Sequence, residues 1–180
     1  MIETEDEEVV RLTLKGDAKA FDKIVHKYYK TIYNVILRMG IDCDDAYDVS
    51  QTVFVKVFEN LRSFNKKYKF FSWLYRITVN ETLNFINRKR DDENIEIDTL
   101  PATETPEHEY YQTELSEIVQ QAVWNLKLDY RVVIVLKHFH NLSYSEIGYI
   151  LDLPEKTVKS RLFTARELLR DILIKERGLG

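Results

Sequence analysis

Apolar residues recur along most of this chain at helical spacing, and no strand-like alternation bounded by turn residues occurs. Phe21, Ile24, Val25, Tyr28, Ile32, Val35, Ile36 and Met39 keep one unbroken helical period, and Val49, Val53, Val57 and Leu61 keep a second. A third helix is predicted over roughly Phe70 to Arg90. Advancing about 100° per residue groups Phe71, Leu74, Tyr75, Thr78, Val79, Thr82 and Ile86 as its inward face. Opposite them fall Trp73, Arg76, Asn80, Asn84 and Asn87, with the basic tail Arg88-Lys89-Arg90 beyond.

Further along, two shorter helical patterns meet at a tight break. Ser143 and Glu146 are spaced as a capping box that satisfies the free N–H groups of a helix start. Ile147, Ile150 and Leu151 supply that helix's buried stripe, and Asp152-Leu153-Pro154 breaks it. Pro154 then falls where a second helix tolerates proline, in its first turn. On the second helix Val158, Leu162, Ala165 and Leu169 face inward, which puts Lys156, Ser160 and Thr164 opposite, flanked by Thr157, Lys159, Arg161 and Arg166. A basic helix alone is as readily a solvated surface. Cap, corner and basic face together are the signature of a helix-turn-helix, whose hydroxyls and cations reach base edges and phosphates in the major groove.

Composition narrows the class. With 180 residues, 44% of them apolar, and only five Gly and three Pro, the chain is long enough to bury real cores and reads as all-α. The single Cys43 excludes a disulfide framework, no apolar stretch is long enough to span a bilayer, and the acidic N-terminus is unlike a signal peptide, so a cytoplasmic protein is expected. His138 and His140 lie two apart, hence on different helix faces, and His26 and His108 are remote, so no metal site or cofactor is expected.

The net charge of −4 is unevenly spread. From Lys56 to Arg90 there are nine Lys or Arg against two acidic residues, whereas Asp91 to Glu117 holds ten acidic residues and no Lys or Arg. That acidic stretch carries Pro101 and Pro106 and reads as a flexible linker. The expected organisation is two small helical domains, residues 1–90 and 111–180, joined by an acidic linker over 91–110.

The row Trp73, Arg76, Asn80, Asn84 is unusual for a solvated helix, which favours Lys and Glu pairs. Aromatic and amide groups suit stacking on unpaired bases and bonding to their edges, and Lys66, Tyr68 and Lys69 add cations and an aromatic ring beside them. The second helix presents Asp45, Asp48, Gln51 and Glu59, a face that is either merely solvated or docks on a basic partner; composition does not decide.

Three segments carry a family resemblance: Ala20-Phe21 with the following tyrosines, Asp45 to Phe58 around Asp48-Val-Ser-Gln51-Thr-Val-Phe54, and Phe71-Ser-Trp73-Leu-Tyr75-Arg76-Ile-Thr-Val-Asn80. Together they resemble region two of bacterial RNA polymerase sigma factors of the extracytoplasmic-function group, and Leu126 to Arg170 resembles region four. The resemblance implies a sigma-region-2 bundle and a sigma-region-4 helix-turn-helix, a chain that binds core polymerase and directs it to promoters, and no enzyme activity of its own. It implies that Asp45, Asp48, Gln51 and Phe54 meet the polymerase's largest subunits. It also implies that Lys66, Tyr68, Lys69, Trp73, Arg76, Asn80 and Asn84 hold the melted upstream-ten strand. Lys156, Thr157, Lys159, Ser160, Arg161, Thr164 and Arg166 would then read the upstream-thirty-five duplex. Core polymerase, promoter DNA and an anti-sigma factor are the implied partners, with no small-molecule substrate and no membrane insertion. Thr164 stands where many relatives carry a basic residue, and the Lys66 to Lys69 loop is unusually cationic. Two other readings remain: a helix-turn-helix regulator acting without polymerase, which would not need the Trp73 to Asn87 row or the acidic face, and a sigma mimic that sequesters an anti-sigma factor, which would keep the fold but lose the DNA-contacting residues. A small nuclease would need clustered carboxylates; Asp44, Asp45 and Asp48 are the nearest approach and lack a convergent partner.

Overall fold

Thr4 opens the first helix by accepting the Glu7 amide at 3.3 Å, and four acidic residues in that first turn face the positive end of the helix dipole. This helix, α1 (Glu5–Leu14), lies outside the periodicities identified above; it buries Val9, Val10 and Thr13. The computed structural model describes residues 4–93 and 114–176. Asp17 caps α2 (Ala18–Arg38) through the Ala20 amide at 3.2 Å, and Asp42 caps α3 (Cys43–Glu59) through the Asp45 amide at 2.9 Å. A short 3-10 turn at Leu61–Ser63 leads to α4 (Phe70–Glu93), which runs past the expected linker boundary. The rest of the expected linker, 94–110, falls outside the described residues.

The second half comprises α5 (Glu114–Trp124), α6 (Leu128–Ile134) continuing into a π turn at Val135–Phe139, α7 (Tyr144–Leu151) and α8 (Glu155–Glu176). Among the described residues the only regular structure is helical. None of these helices is long and apolar enough to cross a membrane.

Fully buried Ile24, Ile32, Ile36, Met39, Leu61 and Leu74 form the first core, and Leu126, Ile134, Leu136, Ile147, Ile150 and Leu162 the second. Each such side chain contributes roughly 1.5–3 kcal/mol by leaving water. Within α4, the buried hydroxyls of Thr78 and Thr82 donate to the carbonyls of Leu74 (3.0 Å) and Thr78 (2.7 Å), so neither is left unpaired.

The two cores are continuous, because the halves pack on each other along α4 and α7. Arg131 of α6, only 3% exposed, donates through Nη1 to the Met39 carbonyl at the end of α2 (2.8 Å) and through Nη2 to the carbonyls of Trp124 and Leu126. Trp124 Nε1 donates to the Leu37 carbonyl at 3.2 Å, and Arg38 Nη1 donates to Gln120 Oε1 at 2.9 Å. The end of α2 is thus tied to the start of the second half by three side chains.

Candidate nucleic-acid interface

The helix-turn-helix forms as the spacing predicts. The Glu146 amide donates to Ser143 Oγ at 3.2 Å while the Ser143 amide donates to Glu146 Oε2 at 2.9 Å, a reciprocal capping box for α7. Asp152 takes the left-handed conformation that ends α7 (φ 55°), and the Leu153 amide closes the corner on the Gly148 carbonyl at 2.9 Å. Pro154 stands one position earlier than expected: it precedes α8, and its carbonyl accepts the amides of Thr157 and Val158. A residue without an N–H costs nothing there.

Val158, Leu162 and Ala165 are buried and Leu169 half-buried, as the period requires. On the outward side Lys156, Lys159 and Ser160 are exposed, whereas Thr157, Arg161 and Thr164 are half-buried. Arg161 leans on Asp129 at 3.4 Å. Arg166 is exposed, but its Nε donates to His138 Nε2 at 3.2 Å, aiming it toward the π turn. Burial, then the charges of Arg166 and Lys137, push the His138 pKa down, which keeps the ring a neutral acceptor. Phe163 escaped the sequence reading. It is 68% exposed, seven residues after Lys156 and three after Ser160, and so shares their face. A large apolar side chain left in water on such a helix suits the methyl group of thymine. Its spacing was a legible signal.

The α4 row is partly as expected. Asn80, Asn84 and Asn87 are exposed and Arg76 is half-buried, but Trp73 is only 7% exposed, a correction to its place in the outward row. The loop before α4 folds back over the first turn, so Trp73 packs against Phe64 and Phe70 with centroids 5.6 and 5.7 Å away. A helical wheel carries no information about a covering loop. Tyr68, Lys69 and Arg76 stand together beside it, facing α7. Lys66 reaches back to Glu7 of α1 at 3.7 Å.

On α3, Asp48 and Gln51 are exposed, while Asp45 is half-buried and bonded to Lys89 Nζ at 2.6 Å. Phe54, expected outward, is 6% exposed and stacks on Tyr29 at 6.3 Å. The cause is that α3 is packed by α2 on one side and α4 on the other, so its buried stripe widens to include Ser50 and Phe54. Tyr47 (51%), Val55 (57%) and Phe58 (47%) are exposed instead, an apolar strip beside Asp48 and Gln51. Such a strip suits a partner helix better than water does.

Two carboxyls titrate below their ordinary values. For Glu146, burial pushes the pKa up, but hydrogen bonds from Ser143 and the ion pair with Lys69 outweigh it. For Asp42, burial again opposes, and hydrogen bonding to Asp45 and the charge of Lys89 prevail. Both groups therefore bind protons less readily folded than unfolded, and their contribution is complete above the unfolded values of about 4. It is lost as the pH falls through the folded values. The melting temperature is expected to drop between about pH 5 and pH 3, and Glu146→Gln to flatten part of that slope; an unchanged slope in the variant would remove Glu146 from the account.

A capped helix-turn-helix beside a bundle that exposes amides and cations defines an all-helical DNA-binding protein of transcription. The sequence matches the Sigma-70 region 2 model over residues 24–91 and the Sigma-70 region 4 model over residues 116–169. It is 34% identical to the ECF RNA polymerase sigma-E factor of Haemophilus influenzae, covering 92% of this chain and 94% of that one. It is 37% identical to the ECF RNA polymerase sigma factor SigW of Bacillus subtilis, covering 89% and 92%. The fold matches that of CnrH solved in complex with the cytosolic domain of CnrY, with TM-score 0.72, 24% identity, and 94% and 97% of the two chains covered. It likewise matches RpoE in complex with the anti-sigma factor NepR from Bartonella quintana, with TM-score 0.71, 22% identity, and 86% and 97% covered. The chain belongs to the extracytoplasmic-function group of RNA polymerase sigma factors.

Proposed function

We propose that this sigma factor divides its labour between its halves, residues 1–90 binding core polymerase and the melted upstream-ten strand, and residues 111–180 reading the upstream-thirty-five duplex, with 91–110 as the linker. On α3, Asp48 and Gln51 with the apolar strip Tyr47, Val55 and Phe58 meet the polymerase. Asp45 acts there through its bond to Lys89, and Phe54 supports the face from beneath. Tyr68, Lys69, Arg76, Asn80 and Asn84 hold the single strand, with Lys66 beside them and Trp73 as the buried prop of the loop. Lys156, Lys159, Ser160 and Phe163 read the duplex, while Thr157, Arg161, Thr164 and Arg166 flank them. The observation that carries this is the coexistence on one chain of an exposed amide row on α4 and an exposed basic face on α8, set behind the capped helix α7.

The chain makes and breaks no bond itself; it contributes binding free energy to the open promoter. A base stacked on an aromatic ring is worth roughly 1–3 kcal/mol, so two or three such contacts offset the unstacking of a few base pairs. The work is done in the cytoplasm, beside polymerase. RpoE of Bartonella quintana is solved with an anti-sigma factor, and a partner of that kind is proposed here too.

Run-off transcription on a genomic promoter library, with core polymerase, tests the reading. New starts sharing one upstream motif pair are expected, and their absence alongside intact duplex binding would favour a plain regulator. On such a promoter Asn80→Ala is expected to reduce permanganate-reactive open complexes about tenfold, the loss of one good contact, with closed-complex binding retained. Equal losses in both would remove Asn80 from strand capture.

A further inference from the structure

Toward the end of α4, that helix and the start of α6 wall a cleft of about 620 Å³, with Arg161 of α8 also lining it. This is the size of a small-molecule site. Arg90, Lys127, Arg131 and Arg161 bring four cations to it, and Asp129 is the one carboxylate among the lining residues. The Asp129 side chain is 71% exposed and lies 3.4 Å from Arg161, a pairing that water largely screens. Arg131 is buried in the wall. Its bonded partners are backbone carbonyls, so no counter-charge offsets it, and its Nε is buried with no partner among the described residues. Carbonyl dipoles satisfy N–H groups but leave the net positive charge in place. A cleft with low-dielectric walls focuses the field of such charges, and the species it draws in is an anion.

The rest of the lining narrows the class of anion. Leu83, Ile86 and Leu128 give an aliphatic wall, Tyr130 is the one aromatic residue of the lining, and Asn87 brings an exposed carboxamide. Inorganic phosphate has no use for these groups. A nucleobase does, since it stacks on a ring, lies against aliphatic surface and bonds through its edge to an amide. We infer that the cleft between α4 and α6 is a binding site for a nucleoside polyphosphate, its phosphates on Arg90, Lys127 and Arg161 and its base against Tyr130 and the aliphatic wall. Arg131 stands behind them as a fixed positive charge. The site goes beyond promoter recognition and does not depend on it. One consequence does: Arg161 flanks the duplex-reading face, so a bound nucleotide holds it away from the duplex and weakens the upstream-thirty-five contact.

Isothermal titration of the full chain with ATP and, separately, with inorganic triphosphate reads the site. At about 0.15 M salt, contacts to scattered surface cations are largely screened. Saturable one-to-one binding of ATP is expected, about tenfold tighter than triphosphate, the worth of one stacked base. Arg90→Glu combined with Lys127→Glu is expected to weaken both ligands by at least about tenfold. Both side chains are exposed, so reversing them leaves the cores intact. Tyr130→Leu keeps an apolar side chain without the ring, and is expected to weaken ATP about tenfold while leaving triphosphate within about twofold. Should Tyr130→Leu fold poorly, the charge-reversed pair still decides. ATP and triphosphate binding alike in the parent would overturn the nucleotide assignment. Equal ATP affinity in the parent and the charge-reversed pair would put the ligand elsewhere and overturn the site. No saturable ATP binding would overturn it too, and a loss of duplex affinity in the same pair would then give the cleft to DNA phosphates. On a promoter duplex found by run-off transcription, saturating ATP is expected to lower affinity about threefold, the loss of one phosphate contact. Unchanged duplex affinity with ATP bound would overturn the coupling through Arg161 and leave the site standing.

Discussion

Arg131→Ala is expected to lower the melting temperature by about 10 °C, the equivalent of some 3–5 kcal/mol in a protein of this size. The guanidinium is 3% exposed and donates to three backbone carbonyls, those of Met39, Trp124 and Leu126. No carboxylate is among its bonded partners, and burial alone pushes its pKa down to about 10. It therefore stays charged at neutral pH, and the three carbonyls must outweigh the cost of taking that charge out of water. Truncation removes the donors but leaves the acceptors. Each orphaned buried carbonyl costs about 1–3 kcal/mol, and a cavity is added where the side chain lay. Gly40 gives an independent handle on the same latch. It adopts φ +94°, and a β-carbon there would overlap the Arg131 guanidinium, so Gly40→Ala combines backbone strain with displacement of a pinned side chain. Differential scanning fluorimetry at neutral pH reads both. A melting temperature for Arg131→Ala within about 2 °C of the parent would mean that water replaces the guanidinium without loss, and the latch would not be one.

The helix-turn-helix was legible because every signal in it is local. Ser143 and Glu146 are three residues apart, the corner is three residues long, and Val158, Leu162 and Ala165 share one face through the helical period alone. The same logic found the inward faces of α2 and α4. It failed where a second layer intervened: Trp73 is on the outward side of its helix and still buried, because the preceding loop returns over it. Phe54 lies on the flank of an inward stripe that a helix sandwiched between two neighbours makes wider than one face. The first helix was missed although Thr4, the acidic first turn and Val9-Val10 mark it, since so short a stretch holds too few apolar positions to establish a period. The clasp between the halves had no sequence signal at all. Tyr68 and Tyr149, like Arg131 and Met39, are brought together by the fold across about half the length of the chain, and an acidic, proline-bearing stretch between them suggests separation instead. Periodicity says which side of a helix is covered; it does not say by what.

Replacing a helical glycine by alanine usually stabilises a protein by up to about 1 kcal/mol, because alanine loses less backbone freedom on folding. At Gly148 the sign is expected to reverse. A β-carbon on Gly148 would lie 2.7 Å from the Leu153 carbonyl oxygen, closer than such contacts are tolerated. The obstacle is backbone, so no rotamer change relieves it. Nor can the corner readily yield: the Leu153 amide is bonded to the Gly148 carbonyl at 2.9 Å, Asp152 is fixed in the left-handed region, and the Pro154 carbonyl starts α8. Moving Leu153 outward would break the first of these bonds and swing α8 relative to α7, which lifts Val158 and Leu162 from a core where they are fully buried. Gly148→Ala is thus expected to cost about 2–3 kcal/mol and to weaken binding to the upstream-thirty-five duplex by at least about tenfold. Thermal melting and a duplex titration on the full chain report the two effects separately. If the variant melts as the parent does and binds duplex equally, the corner is more yielding than its three anchoring bonds require. Should stability fall while duplex affinity is kept, the reading helix would hold its orientation independently of the turn that precedes it.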